Sequence, residues 1–145
     1  MTHQPIIQSM AILLATAVAL LTFWLKFWID NRINLIATLA RLRFLLIHFE
    51  TNLYKSAGIK TDLSTMPEFK EFLDLSRSIG YSNTLLTILI EYWEMRNEYF
   101  MHSIANIPFT DARREMFRSR INEIVAIIDS ELGDLRGHPI LRKIF

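Results

Sequence analysis

The sequence contains no cysteine, only four glycines and four prolines among 145 residues, and no charged side chain before Lys26. Without cysteine there is no disulfide framework, no thiolate metal site and no cysteine nucleophile. No alternating apolar pattern of useful length appears, which argues against a sheet. The formal charge of only +1 argues against a strongly polyanion-binding domain, and the 51% share of hydrophobic residues argues against disorder.

The uncharged N-terminal stretch is strongly apolar. From Pro5 to Leu25, 16 of 21 residues are apolar, and a helix of this length would be about 31 Å long, close to the thickness of a bilayer's hydrocarbon core. Trp24, Lys26 and Trp28 follow, as is typical of a membrane interface. We therefore predict a membrane anchor over residues 1–28, with a single transmembrane helix that contacts the bilayer through residues 5–25.

Two other interpretations of this stretch remain open. A cleaved signal peptide fits poorly, because Met1–Gln4 contains no Lys or Arg and the apolar run exceeds the usual length. The other interpretation is a buried core helix.

Lys and Arg occur only after the predicted transmembrane span, which predicts an N-terminus outside and a cytoplasmic body. Ala11, Ala15 and Ala19 would also allow the anchor to pack against another membrane subunit.

Residues 29–145 are predicted to form an antiparallel four-helix-type bundle, so the expected fold class is all-α. No glycine or proline interrupts residues 6–57, which predicts one long helix or two helices with a break near Asp30–Asn31. Capping residues and glycines predict three further helices. These run from about Thr65 to Ile79, from about Thr84 to Ala105 after a cap at Ser82 or Asn83, and from Thr110 or Asp111 to Leu132 before Gly133.

An apolar seam follows the first long helix in steps of four and three residues. It comprises Leu21, Leu25, Trp28, Arg32, Leu35, Leu39, Leu42, Leu46, Phe49 and Leu53. Such a seam forms either a bundle core or a self-associating surface, and the neighbouring Ile33, Ile36, Phe44 and Ile47 favour the core. We expect a homo-oligomer, a dimer or larger, formed through the Leu35–Leu53 face, through the seam around Asn97, or through both.

Asn97 is the most informative residue of the predicted third helix. Leu86, Ile90, Trp93, Phe100 and Ile104 share its helical spacing, so Asn97 occupies a position where leucine is expected. A polar residue there costs stability unless it is hydrogen-bonded, which indicates either a specificity device or part of a site. Arg96 borders the same seam.

The sequence Arg96-Asn97 followed by His102 resembles the motif of the HEPN superfamily, which has an Arg, a polar residue and then a His. The resemblance covers roughly residues 31–132. It implies a metal-independent endoribonuclease whose site forms when two protomers pair. It also implies that His102 is the general acid and base for the ribose 2′-hydroxyl, that Arg96 holds the scissile phosphate, and that Asn97 orients the pair; the expected partner is RNA.

His102 also has a purely structural interpretation. Glu98 lies four residues before it, which is the spacing of an ordinary helical ion pair. Glu91, Glu94, Glu98 and His102 would then form one solvated stripe. The four histidines of the chain have no ligand-like spacing, so we predict no metal and no cofactor.

A basic cluster opens the predicted last helix. It consists of Arg113, Arg114, Arg118 and Arg120, with Asp111, Glu115 and Glu123 interspersed. The arginines would contact RNA phosphates or anionic lipid headgroups, or they belong to a solvated mixed face.

The sequence as a whole leaves two functions. One is a membrane-anchored HEPN-like ribonuclease that acts as a dimer, and the other is a non-enzymatic oligomeric membrane scaffold, partner-recruiting module or pore-forming effector.

Overall fold

A computed structural model describes residues 3–55, 69–79 and 82–143, and every regular element among them is helical. The elements are α1 (His3–Lys55), α2 (Phe69–Ile79), α3 (Asn83–Ile104), α4 (Asp111–Gly137) and a short 3-10 helix (Leu141–Lys143). The predicted all-α fold class is confirmed. The chain divides into two compact units, Met1–Asn34 and Leu35–Phe145, which we call unit 1 and unit 2.

Unit 1 contains the first part of α1. Every described side chain from residue 7 to residue 27 is exposed, although most of them are apolar. The hydroxyls of Thr16 and Thr22 donate hydrogen bonds to the carbonyl oxygens of Ile12 (2.9 Å) and Val18 (2.8 Å), so their polar groups are satisfied within the helix. Among the described helices, α1 is the one that is long and apolar enough to cross a membrane, a test that core helices and signal sequences also pass.

Unit 2 buries one stripe of the rest of α1. Leu39, Leu42, Leu46 and Leu53 are fully buried, and Phe49 is 7% exposed. These residues follow the predicted four-and-three spacing, so the seam forms bundle core in this part of the helix. The Leu35–Leu53 face therefore contributes to the core of unit 2. Self-association through this face stays a prediction.

Ion pairs between helices fix the direction of the bundle. Along α4, Arg113 pairs with Glu98 of α3 and Arg120 pairs with Glu91. Because the residue numbers rise on one helix as they fall on the other, α3 and α4 are antiparallel. Two further pairs, Arg43 with Asp129 and Arg118 with Glu50, show in the same way that α1 is antiparallel to α4. The predicted antiparallel arrangement is thus confirmed.

Aromatic rings fill the core where α1, α3 and α4 meet. Phe49 of α1 lies against Tyr92 and Tyr99 of α3, with ring centroids 6.4 and 5.7 Å apart. Phe109, in the connection to α4, packs edge-on against Tyr99 and Phe117 at 5.3 and 5.2 Å. Large rings bury much apolar area each, so this cluster stabilises the end of the bundle that carries the α3–α4 turn.

The helix boundaries agree with the sequence at the caps. The hydroxyl of Ser82 accepts a hydrogen bond from the Leu85 amide at 3.5 Å, and the hydroxyl of Thr110 accepts one from the Arg113 amide at 3.3 Å. Each therefore satisfies an amide that has no partner inside its helix. The predicted start of the second helix near Thr65 lies outside the described residues.

Two other boundaries differ from the expectation. α1 continues without interruption through Asp30–Asn31, so the one-helix alternative holds. α4 does not end before Gly133 but continues to Gly137, so that prediction was wrong. Glycine in a helix costs roughly 1 kcal/mol relative to alanine, but the continued helix buries Leu132 and Leu135, which are 6% and 7% exposed. Burial of two leucines outweighs that cost.

Candidate functional site

Arg96, Asn97 and His102 all lie on α3, which is helical without a break from Asn83 to Ile104. Six residues of a continuous helix turn by about 600° and rise about 9 Å, so Arg96 and His102 point roughly 120° apart. The helix does not end between them. Within one chain the motif therefore does not converge on a single cleft, and a shared site would need a second protomer.

Arg96 is half-buried and is held by the residue one turn before it. Its Nη1 donates a hydrogen bond to the Tyr92 hydroxyl at 2.9 Å, and its guanidinium carbon lies 5.8 Å from the centre of that ring. This position combines a hydrogen bond with a cation–π contact. Asn97 is also half-buried, so the polar residue in the seam keeps some access to solvent.

His102 packs against the turn between α3 and α4. Its ring meets Phe109 edge-on, with centroids 5.2 Å apart and an interplanar angle of 89°. Its Nδ1 is enclosed and has no hydrogen-bond partner among the described residues. The imidazole is thus neither a plain surface group nor a fully satisfied core group.

Glu98 does not pair with His102 as the helical spacing suggested. Its two carboxylate oxygens instead accept hydrogen bonds from Nε and Nη2 of Arg113, both at 2.6 Å. These bonds lower the pKa of Glu98 below its ordinary value against the opposing effect of burial, and the charges of Arg113 and His102 lower it further. The solvated stripe is likewise wrong in part, because Glu91 and Glu98 are half-buried and joined to α4.

The four arginines that open α4 each have a carboxylate within ion-pair distance. The pairs are Arg113–Glu98 (2.6 Å), Arg114–Asp111 (2.7 Å), Arg118–Glu50 (3.2 Å) and Arg120–Glu91 (2.7 Å). The hydrogen bonds that Arg120 donates to Glu91 and Glu123 raise the pKa of its guanidinium above the ordinary value. Three of the four pairs join different helices, so much of the cluster's charge is compensated inside unit 2. Contact of these arginines with phosphates or lipids stays a prediction.

The α3–α4 turn holds the two enclosed side-chain nitrogens that lack a partner in the described part of the chain. They are Nδ1 of His102, just before the turn, and Nε of Arg114, just after it. Asn106, between them, has a backbone φ of 51°, which Asn tolerates better than most residues. Buried polar atoms are normally paired, so these two nitrogens are exceptions among the described residues.

Sequence reasoning missed Tyr92 and Phe109, the direct neighbours of the motif residues. Tyr92 lies four residues before Arg96, so helical spacing alone was enough to find it. Phe109 had no such signal, because its contact with His102 depends on the path of the turn. No group of three or more His, Asp or Glu residues in the described ranges could hold a metal ion.

Comparison of the chain with protein-family models, with curated proteins and with solved structures gives no match. The resemblance to HEPN domains therefore rests on Arg96, Asn97 and His102 and on their place in a helical bundle.

Proposed function

We propose that this protein is a membrane-anchored helical bundle that acts by binding a partner, as a scaffold or recruiting module, rather than by catalysis. One observation carries the anchor: along residues 7–27 of α1, large apolar side chains are exposed, and nothing in the described part of unit 1 covers them. They are Ile7, Met10, Ile12, Leu13, Leu14, Val18, Leu20, Leu21, Phe23, Trp24, Leu25 and Phe27, between 41% and 71% exposed. Monomeric soluble proteins rarely expose so much contiguous apolar surface.

The bilayer is the environment that fits this surface. An α-helix satisfies its own backbone hydrogen bonds, which is a condition for spanning a membrane, and residues 7–25 of α1 carry no charged side chain. The basic residues Lys26, Arg32 and Arg41 all follow the span. The N-terminus is therefore proposed to lie outside and the bundle in the cytoplasm.

The contacts of unit 2 support binding rather than catalysis. The charged side chains that face one another across α1, α3 and α4 are engaged in ion pairs, as is typical of a structural framework. At the same time, Phe44, Met101, Ile104 and Ile107 are between 54% and 66% exposed. Because the Leu35–Leu53 face contributes to the core of unit 2, we propose that a partner or a second copy binds through such surface residues.

Single cysteines test the anchor and its orientation, because the natural chain has none. In cells that express the full chain, we expect Gln4→Cys to react with an impermeant maleimide from outside. Ser119→Cys, an exposed position on α4, should react only after permeabilisation. The reverse pattern would overturn the orientation. Release of the protein from membranes by alkaline carbonate would overturn the anchor itself.

Dilution tests whether the bundle forms an oligomer. The full chain is solubilised in detergent and its mass is measured by light scattering over a wide range of concentrations. A mass of two or more chains that persists on dilution supports a scaffold that self-associates. A monomer at every concentration would leave recruitment of a different partner as the only form of this proposal.

A second candidate function is a HEPN-like ribonuclease, and one observation favours it. Nδ1 of His102 is enclosed and without a partner in the described residues, so the imidazole retains an unused donor or acceptor. An imidazole beside a guanidinium group suits phosphoryl transfer. Because Arg96 and His102 diverge on α3, this activity requires two protomers to bring Arg96 and Asn97 of one chain to His102 of another.

Incubation of the full chain with RNA in EDTA tests this second candidate. Cleavage that His102→Ala and Arg96→Ala abolish, and that the exposed His138→Ala retains, would support it. Asn97→Ala should weaken cleavage less than the other two, since its implied role is orientation. No cleavage, or equal cleavage by the His102 and His138 variants, would exclude the catalytic function.

A further inference from the structure

Three basic side chains near the C-terminal end of unit 2 differ from the arginines that open α4. Arg136, Arg142 and Lys143 are exposed, and within the described ranges none of them has a carboxylate at ion-pair distance. At the start of α4, by contrast, four arginines are all paired. Among the described residues, the basic side chains of α4 and its extension that lack an ion pair therefore lie at the end of the helix, not at its start.

Arg136 lies in the last turn of α4, and the chain holds Arg142 and Lys143 in place beyond it. Leu141 is fully buried, so it fixes the 3-10 helix against unit 2. The Arg142 amide donates a hydrogen bond to the His138 carbonyl at 2.9 Å, which closes the turn. Ile140, on the same turn, is 41% exposed. Basic groups around an exposed aliphatic side chain are the composition of a surface that binds a membrane interface.

This basic end is the end of unit 2 from which the chain leads to the proposed anchor. Arg43 of α1 pairs with Asp129 of α4, and the two helices are antiparallel. Arg136 lies seven residues, or about 10 Å, beyond Asp129 along α4. Seven residues back from Arg43 along the antiparallel α1 is Ile36, so Arg136 lies at about the level of Ile36, at the start of unit 2. Leu35 follows Leu25 by ten residues, a path of at most about 35 Å even if fully extended.

We infer that this basic end, with Arg136, Arg142 and Lys143 and the exposed Ile140, binds anionic lipid headgroups of the membrane that holds the anchor. The inference rests on the proposed anchor, to which the start of unit 2 is joined through the residues between Leu25 and Leu35. Charge complementarity supplies the attraction, which acts over about one Debye length, ~8–10 Å at ordinary salt. Glu131 and Asp134 lie exposed on the preceding turn and weaken the attraction without cancelling it.

Fluorescence quenching in vesicles tests the inference. The full chain carrying Ile140→Cys, labelled with a fluorophore, is reconstituted into phosphatidylcholine vesicles that contain a quencher on the headgroup. A second set contains about 30 mol% phosphatidylglycerol, which supplies the anionic surface. We expect at least about twofold more quenching in the anionic set, and loss of the difference in about 0.5 M NaCl, where the Debye length is only ~4 Å.

Charge variants and a second label position complete the test. Arg136→Gln/Arg142→Gln/Lys143→Gln should remove the difference between the two sets, whereas Glu131→Gln/Asp134→Asn should enlarge it. A label on Ile107→Cys, at the opposite end of α4 in the α3–α4 turn, should show no dependence on lipid charge. Equal quenching in both sets, or an unchanged difference in the triple variant, would overturn the inference.

The experiment distinguishes failure of the proposed anchor from failure of the proposed lipid binding by the basic end. If alkaline carbonate strips the chain from the vesicles but quenching at residue 140 depends on lipid charge beforehand, the anchor is wrong and the basic end stands. If the chain resists carbonate but quenching is independent of lipid charge, the anchor stands and the basic end is overturned.

Discussion

Two stretches of α1 have similar apolar content and opposite surroundings. Along residues 7–27 every described side chain is exposed, whereas along residues 35–53 a single stripe of leucines is buried against the rest of unit 2. The difference in sequence is one of charge. The second stretch carries Arg41, Arg43 and Glu50 on its other faces, while the first carries no charged residue before Lys26.

This comparison shows which feature of an apolar helix predicts its environment. Polar residues on one side restrict burial to the opposite stripe, which a bundle of three partner helices can cover. A helix that is apolar all round has no side that favours water, so it requires an apolar environment on every side. Unit 2 is therefore held by its own contacts, and unit 1 is proposed to be held by lipid.

Alanine substitutions should affect the two stretches very differently. Leu46 is fully buried and Leu14 is 68% exposed. We expect Leu46→Ala to lower the free energy of unfolding of unit 2 by about 2–5 kcal/mol, the usual cost of a cavity in a core, and Leu14→Ala to leave it within about 0.5 kcal/mol. Urea denaturation of the full chain in mild detergent, followed by tryptophan fluorescence, measures both. Equal losses would remove the distinction between the stretches.

Substitution by arginine should have different effects at two positions of α1 whose side chains are almost equally exposed. Leu14 and Phe44 lie on the same helix and are 68% and 66% exposed. At the centre of a transmembrane helix an arginine costs roughly 3 kcal/mol in insertion, whereas on the surface of a bundle it costs little. We expect Leu14→Arg to abolish carbonate-resistant membrane association and Phe44→Arg to retain it. Retention by both variants would contradict the anchor.

Periodicity and caps made much of the fold predictable. The four-and-three spacing from Leu39 to Leu53 identified the buried stripe, because a helix with charged residues on its other faces can bury only that side. Ser82 and Thr110 marked the starts of α3 and α4, because local hydrogen bonds to the first turn decide a helix start.

Features that depend on tertiary contacts were not predictable. The continuation of α4 through Gly133 is decided by the burial of Leu132 and Leu135, which no local signal reveals. Glu98 had two possible cations, His102 on its own helix and Arg113 on the next, and only the packing of α3 on α4 selects the second. The motif residues were located on their helix, but the orientation of His102 towards Phe109 required the turn.

The helix cap of α4 should contribute to unit 2 and not to unit 1. The Thr110 hydroxyl accepts a hydrogen bond from an amide of the first turn, whereas the Thr87 hydroxyl donates to the Asn83 carbonyl inside α3. We expect Thr110→Ala to lower the free energy of unfolding of unit 2 by about 1 kcal/mol, and Thr87→Ala to change it little. The same urea titration measures both, and an equal loss in the two variants would show that the cap is not the cause.

Acid should produce the smallest effect, and in unit 2 only. Arg113 lowers the pKa of Glu98 in the folded chain. The ionised carboxylate therefore contributes fully to the free energy of unfolding above its unfolded pKa of about 4.3, and this contribution disappears as pH falls through the lower folded pKa. Glu98→Gln should therefore show less loss of stability between about pH 5 and pH 3 than the natural chain. Glu131→Gln, which removes an exposed carboxylate without an ion pair in the described residues, should lose as much stability over this pH range as the natural chain.

Thermal unfolding in detergent at several pH values measures these losses, and an identical pH dependence for both variants would contradict the role of Glu98. The helix of residues 7–25 contains no titratable side chain, so its circular dichroism in the same micelles should not change with pH.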